Sequence, residues 1–585
     1  MSEFKDADKL IANIKEIGTK YQEAILRLMN SRIPQNMMNN FGSGNINSLA
    51  KEVADKIIDD PQKFIDTNIE YGHKFAALVN NTMKRFIGEE TEPIYNSSPR
   101  DRRFKDPLWH QNLYFDFIKQ FYIMSSHWIS ESTKKLELEP KTQQILEFYT
   151  RQFTDAFCPS NFPFYNPEVI KESLSTKWEN ISQGLDNFIE DLKNCDGILN
   201  IKTTDKMAFK LGENIASTEG KVVMQNDLMQ LICYKPKAKA RQIPILITPP
   251  WINKYYILDL SPENSFVKWL VDNDFQVFLI SWVNPKENLS HKNFEDYASE
   301  GIIAACEYIR SSLNVKDIST IGYCIGGTLL ACALSIMKTK KMDYINSATF
   351  LTTLLDFSNS GEVGIFVNEE SVSAIEKEMD EKGFFDGRYL AHSFSMLRAN
   401  DLIWSFFVNN YLLGKRPLPF DLLYWNSDPT NLPAKMHSFY LRNMYLENNL
   451  TKAGKVTMLG EKIELKNVEV PSFSLAAKED HIAPWRGAFE SAKLLGGKKE
   501  FCLSASGHVA GVVNPPNQNK YSYWTSQENE DSDTWLASAT QHEGSWWKHW
   551  LEWQSKYSGE KIQQENYNSL KAIEKAPGSY VAKES

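Results

Sequence analysis

DISTIGYCIGGTLLACALSIM, residues 317–337, decides the architecture of this 585-residue chain. Asp317 to Tyr323 reads as a buried strand, and Thr328 to Met337 as an apolar helix. Between them, Gly322-Tyr323-Cys324-Ile325-Gly326-Gly327 sets a cysteine between glycines two residues away on either side. That is the strand–turn–helix context of a nucleophile elbow, G-x-S-x-G, with Cys in place of Ser. The glycines leave room for the neighbouring strand and helix. The helix N-terminus points at the thiol, and its partial positive charge favours the thiolate. Cys324 is therefore the candidate nucleophile. Cys158, Cys195, Cys233, Cys306, Cys332 and Cys502 lack the pattern and read as core or incidental residues.

Outward from the elbow, short apolar runs alternate with helical stretches. Ile243 to Thr248, Gln276 to Trp282, Ala348 to Thr353 and Val470 to Ala476 read as further strands, and Phe294 to Leu313 as a helix. Buried strands alternating with helices give βαβ units, a mostly parallel sheet and an α/β layer fold. The strand pattern lapses between about residues 360 and 440. That aromatic stretch, with Phe384, Phe385, Trp404, Phe406, Phe407, Tyr411 and Trp425, reads as a lid insertion over the sheet. The last residues, after Gly578, read as a tail.

A thiol nucleophile needs an imidazole to take its proton and an acid to orient that imidazole. On this kind of sheet they follow in the order nucleophile, acid, base. Two strands downstream supply both: VPSFSLAAKED ends at Asp480, and KKEFCLSASGH ends at His508. Strand C-termini are where open α/β sheets place their sites. Among the ten histidines, His291 precedes the elbow, His392 and His437 fall in the insertion, and His481 is the rival beside Asp480. The oxyanion hole is expected from the amide of Ile325 and from the loop after IPILIT, through Trp251 or Ile252.

Residues 1–200 read as a helical N-terminal domain and 201–585 as the catalytic domain. Leu10, Ile14, Ile17, Tyr21, Ala24 and Leu28 form a heptad stripe on one helix face. Its plain reading is packing within its own domain; the alternative is contact with another chain or an apolar surface. A net charge of −9 argues against nucleic acid. Seven scattered cysteines without a CxxC pair argue against a disulfide framework or zinc site and fit a reducing compartment. The acidic N-terminus has no apolar signal region and no apolar run reaches membrane-spanning length, so a cytoplasmic protein is expected. Neither GxxxxGK[ST] nor HExxH occurs, and no cofactor is expected.

Several motifs together resemble one family. GYCIGGT (322–328), PPWINKYYILDL (249–260), DLLYWNSDPTNLP (421–433), EDHIAPW (479–485) and SGHVAGVVNPP (506–516) look like those of polyhydroxyalkanoate synthases. RDRRFKDPLWHQN (100–112) and IEKAPGSYV (573–581) are similar too, whereas the first ninety residues match loosely. The resemblance implies an α/β-hydrolase fold and, by the chain's length, a class I enzyme. It assigns Cys324 as the acyl carrier, Asp480 as acid and His508 as base. It implies polymerisation of (R)-3-hydroxyacyl-CoA, 3-hydroxybutyryl-CoA first, with release of CoA. It also implies a homodimer on the surface of a polymer granule, in contact with the growing polyester and with granule-associated proteins. Two other readings compete. One is a hydrolase of the same fold: an esterase, thioesterase or depolymerase. The other is a non-catalytic granule scaffold, against which the complete Cys324, Asp480 and His508 set weighs.

Overall fold

A computed structural model describes residues 2–30, 44–193, 199–528, 530–564 and 566–583; the side chains of 2–8, 28–30 and 44–48 are outside it. Cys195 and the side chain of Leu28 therefore lie outside the described residues. The chain divides into two compact units, Met1–Asp205 with Ser393–Leu418, and Lys206–His392 with Pro419–Ser585.

The first unit is helical. Its main helices are α1 (Ser2–Asn30), α2 (Gly44–Asp59), α3 (Pro61–Phe86), α4 (Leu113–Lys134), α5 (Pro140–Ala156), α6 (Pro167–Thr176) and α7 (Glu179–Lys193). Local rules set the ends. Asp60 caps α3 through Lys63 N with proline at the first position, and Asn112 caps α4 through Tyr114 N and Phe115 N. Inside the unit Lys119 is fully buried and ion-paired to Asp116 at 2.9 Å, and Arg85 pairs with the same carboxylate. A buried charge is tolerated only with such partners. The expected heptad stripe on α1 is only partly a packing face. Ala24 is buried, but Ile14 and Tyr21 are 54% and 58% exposed. The inward face is shifted by one position and includes Asn13, which donates to Lys177 O, and Lys20, which pairs with Asp186 at 2.6 Å. Polar residues with specific partners on α7 and its approach displace the apolar stripe.

The second unit is built on an eleven-stranded sheet. In chain order its strands are β1 (Gly220–Gln225), β2 (Met229–Tyr234), β3 (Ile245–Thr248), β4 (Val277–Trp282), β5 (Ile318–Tyr323), β6 (Ile345–Leu351), β7 (Ser472–Ala477), β8 (Lys499–Ser504), β9 (Ser522–Thr525), β10 (Thr540–Glu543) and β11 (Glu574–Lys575). Across the sheet they run β11-β1-β2-β4-β3-β5-β6-β7-β8-β9-β10. The six from β4 to β8 are parallel, and the flanking pairs are antiparallel. Every residue of β3, β4, β5 and β7 is buried, as helices on both faces of a parallel sheet require. α8 (Ile325–Thr339) follows β5 directly, α9 (Trp485–Lys493) follows β7, and α10 (Trp547–Ser555) carries four tryptophans counting its cap residue, Trp546.

The parallel strands fall where the apolar runs place them, with ends shifted by up to four residues. Three expectations change. Residues 294–313 are helical throughout, but Tyr297–Ile303 widens to a π-helix where Gly301 meets the Trp282 ring; a Cβ there would lie 2.4 Å from it. The stretch between 360 and 440 does not stay together: residues 393–418 group with the N-terminal helices, and the rest with the sheet. The C-terminal residues are not a loose tail. β11 pairs with β1, Tyr580 donates to Asn226 O at 2.6 Å, and Val581 is 2% exposed.

Candidate active site

Cys324 sits between β5 and α8 with φ 54° and ψ −125°. A residue with a Cβ is strained in that region, and such strain gathers at functional turns. Two close approaches hold the turn. A Cβ on Gly322 would meet Gly327 Cα at 2.5 Å, and one on Gly326 would meet Thr248 O at 2.4 Å and Pro249 O at 2.7 Å. Cys324 N donates to Leu351 O of the next strand, and Cys324 O accepts from Gly327 N and Thr328 N as α8 begins. Cys324 is half-buried, whereas Cys158, Cys233, Cys306, Cys332 and Cys502 are buried. Burial pushes the thiols of Cys306 and Cys332 up to about 12, which leaves them inert.

β7 and β8 are parallel neighbours, in register from Ser472 opposite Lys499 to Ala477 opposite Ser504. The loops at their C-terminal ends are tied by Lys478 N to Ser504 O and Glu479 N to Ser506 O. This register sets Asp480 against His508: Asp480 Oδ2 lies 2.6 Å from His508 Nδ1. The other carboxylate oxygen accepts from the amides of Ile482 and Ala483 at 2.9 and 2.8 Å. Both side chains are buried. Burial opposes a charge on the imidazole, but the negative charge of Asp480, and then that of Cys324, outweighs it and raises His508 well above the ordinary imidazole range. Tyr323, the residue before Cys324, lies against the same ring, with centroids 5.7 Å apart. The three residues picked from the sequence thus come together, and Asp480 faces His508 rather than the adjacent His481.

The loop after β3 lies against the elbow through Thr248 and Pro249. Trp282 Nε1 donates to Pro249 O at 3.0 Å, and Thr430 N to Ile252 O at 2.9 Å. The Trp251 side chain turns into an aromatic cluster, its ring centroid 4.7 Å from Tyr297 and 5.4 Å from Trp282. The amides of Trp251 and Ile252 donate to no other described backbone group. Ile325 is the first residue of α8, where an amide has no partner inside the helix.

Sequence reasoning missed two residues here. Tyr440 and Tyr445, at 5.4 Å between centroids, both pack on Phe357 and both feel the charge of Cys324. Burial, more than that charge, keeps their hydroxyls protonated. Tyr440 immediately precedes, and Tyr445 lies within, a π-helix, Leu441–Leu446, a departure from α-helix that often marks function. The only sequence signal was an aromatic pair five apart. His437, in the same region, is buried and pushed down to about 3, so it stays neutral.

Family models match residues 100–270 as "Poly-beta-hydroxybutyrate polymerase (PhaC) N-terminus" and residues 255–515 as "alpha/beta hydrolase fold". The chain is 40% identical to the poly(3-hydroxyalkanoate) polymerase subunit PhaC of Rhizobium meliloti (strain 1021), covering 99% of this chain and 95% of that one. The chain belongs to the poly(3-hydroxyalkanoate) polymerase family. Other members are the poly(3-hydroxyalkanoate) polymerase of Methylorubrum extorquens, 43% identical over 90% of this chain and 88% of that protein, and the subunit PhaC of Cupriavidus necator, 40% identical over 89% and 88%. Members of the family are acyl-transferring enzymes, and this one has the α/β-hydrolase fold. Among the described residues no helix is long and apolar enough to cross a membrane, and no cluster of His, Cys, Asp and Glu could hold a metal.

Proposed function

We propose that this chain polymerises (R)-3-hydroxyacyl-CoA, with 3-hydroxybutyryl-CoA the first substrate to test, through a thioester on Cys324. What carries the reading is the buried 2.6 Å contact of His508 with Asp480, beside a cysteine held in a strained elbow. The Cys324 thiolate attacks the thioester carbonyl, the tetrahedral oxyanion is held by the Ile325 amide and that of Trp251 or Ile252, and CoA leaves with the proton from His508. The exchange of one thioester for another is nearly neutral in energy, which suits cysteine. The 3-hydroxyl of the next unit then gives its proton to His508 and attacks the acyl carbon. An ester forms, the thiol of Cys324 takes the proton back, and the lengthened chain re-enters as a CoA thioester. Asp480 holds the imidazole tautomer and steadies its charge. Aromatic residues such as Tyr440 and Phe357 keep water from the acyl-enzyme.

The same reading takes the polymerase as a cytoplasmic homodimer at a polymer granule. Incubation with radiolabelled 3-hydroxybutyryl-CoA tests the site: the wild type carries label and releases CoA with insoluble polymer, and Cys324→Ala carries none. A labelled Cys324→Ala protein, or release of free 3-hydroxy acid alone, would overturn the reading, the latter in favour of a hydrolase.

A further inference from the structure

Tyr323 is the last residue of β5, next to the nucleophile and 1% exposed. Its hydroxyl donates to the backbone carbonyl of His508 at 3.2 Å, a buried contact between residues 185 apart in sequence. Its ring lies against the imidazole, centroids 5.7 Å apart and planes 27° from parallel. One side chain therefore holds both the backbone and the ring of the candidate base. The rest of that loop is held elsewhere: Trp546 Nε1 donates to Gly511 O and Trp547 Nε1 to Val512 O, each at 2.9 Å. No other described backbone amide donates to the His508 carbonyl.

A phenylalanine would fill the same apolar space, so packing does not explain the hydroxyl. Burying a phenol without a partner is costly, and a buried carbonyl likewise needs a donor. Burial also keeps the Tyr323 hydroxyl protonated, so it donates throughout any working pH range. On the reaction proposed above, one imidazole must serve two partners in turn, the thiol during loading and the 3-hydroxyl during elongation. Asp480 fixes Nδ1, but one hydrogen bond leaves the ring free to pivot about it. A second restraint on the ring face and on the backbone removes that freedom.

We propose that Tyr323 is a positioning residue that ties the nucleophile turn to the loop of His508 and holds the imidazole where it serves both half-reactions. The inference rests on His508 being the base. The test uses the full chain with 3-hydroxybutyryl-CoA, measuring the fraction of sites that load acyl and the elongation rate per loaded site. Tyr323→Phe keeps the ring and removes only the hydroxyl. Its turnover per loaded site should fall about tenfold, as expected for a buried carbonyl left without its donor, with KM unchanged. Tyr323→Leu, which also removes the ring contact, should fall further. Combined with Asp480→Asn, Tyr323→Phe should cost less than its effect in the wild type, because both act through one imidazole. Wild-type turnover per loaded site in Tyr323→Phe overturns the proposal, as does a merely lowered melting temperature or full multiplicativity with Asp480→Asn. His508→Ala separates the two layers. If it elongates normally the reading of the base falls; if it is inactive while Tyr323→Phe is normal, only the role of Tyr323 falls.

Discussion

Asp480 does two jobs with its two oxygens. One caps the turn through the amides of Ile482 and Ala483, and the other meets His508. Asparagine can keep the first and not the second, so Asp480→Asn should fold and still load acyl, while elongation falls on the order of 10²–10⁴-fold. Single-turnover loading and steady-state CoA release separate the two steps; equal losses in both would contradict the assignment. The same pair has a pH signature. His508 is raised in the fold relative to the unfolded chain by Asp480 and Cys324, against burial. Its contribution to stability is therefore fully present below the ordinary imidazole value of about 6.5 and is lost as pH rises through the raised folded value. Urea midpoints of the wild type and of His508→Gln should draw together between neutral and alkaline pH. A constant gap would mean that the imidazole is not charged in the fold.

At the scale of elements, the loop of His508 rests on α10. Trp546 and Trp547 are buried and place their indole N–H groups on the carbonyls of Gly511 and Val512. Trp550 Nε1 reaches Thr349 Oγ1 of β6 at 2.9 Å, so the same helix also grips the middle of the sheet. The tryptophan richness visible in the sequence is thus used for apolar area and for hydrogen-bond donors together. Trp547→Phe removes one donor and should lower stability by about 1–3 kcal/mol, read as a lower urea midpoint at unchanged slope. No change in midpoint would mean that the Val512 carbonyl is satisfied by Trp546, which also reaches it, at 3.2 Å.

The whole molecule is divided in space differently from its order along the chain. The N-terminal unit is completed by residues 393–418. Val169 packs with Leu412 and Leu413, Asn180 Nδ2 donates to Leu412 O at 2.8 Å, and Tyr411 donates to the buried Asp191 at 2.7 Å. Desolvation holds the Asp191 carboxyl above the usual range, and Tyr411 offsets part of that cost. Residues 1–205 made alone lack these partners. That fragment should show no cooperative unfolding transition by circular dichroism, and fusing residues 393–418 to it should restore one. A sharp transition in the bare fragment would show that the later segment is an accessory.

The sequence alone determined the parallel half of the sheet and the elbow, and it singled out Cys324, Asp480 and His508 as candidates. Those features are written locally: strands buried on both faces are continuous apolar runs, a tight strand–helix turn needs its glycines, and strand ends carry the candidate acid and base. The antiparallel strands β1, β2, β9, β10 and β11 were not legible, since edge pairings of two to six residues leave little pattern to read. Nor were the contacts of Tyr323, Tyr440 and Tyr445, the docked C-terminus, or the joining of residues 393–418 to helices two hundred residues earlier. Each depends on which surfaces meet after folding. A side chain's burial and hydrogen-bond partners are set by distant segments, and spacing along the chain holds no record of them.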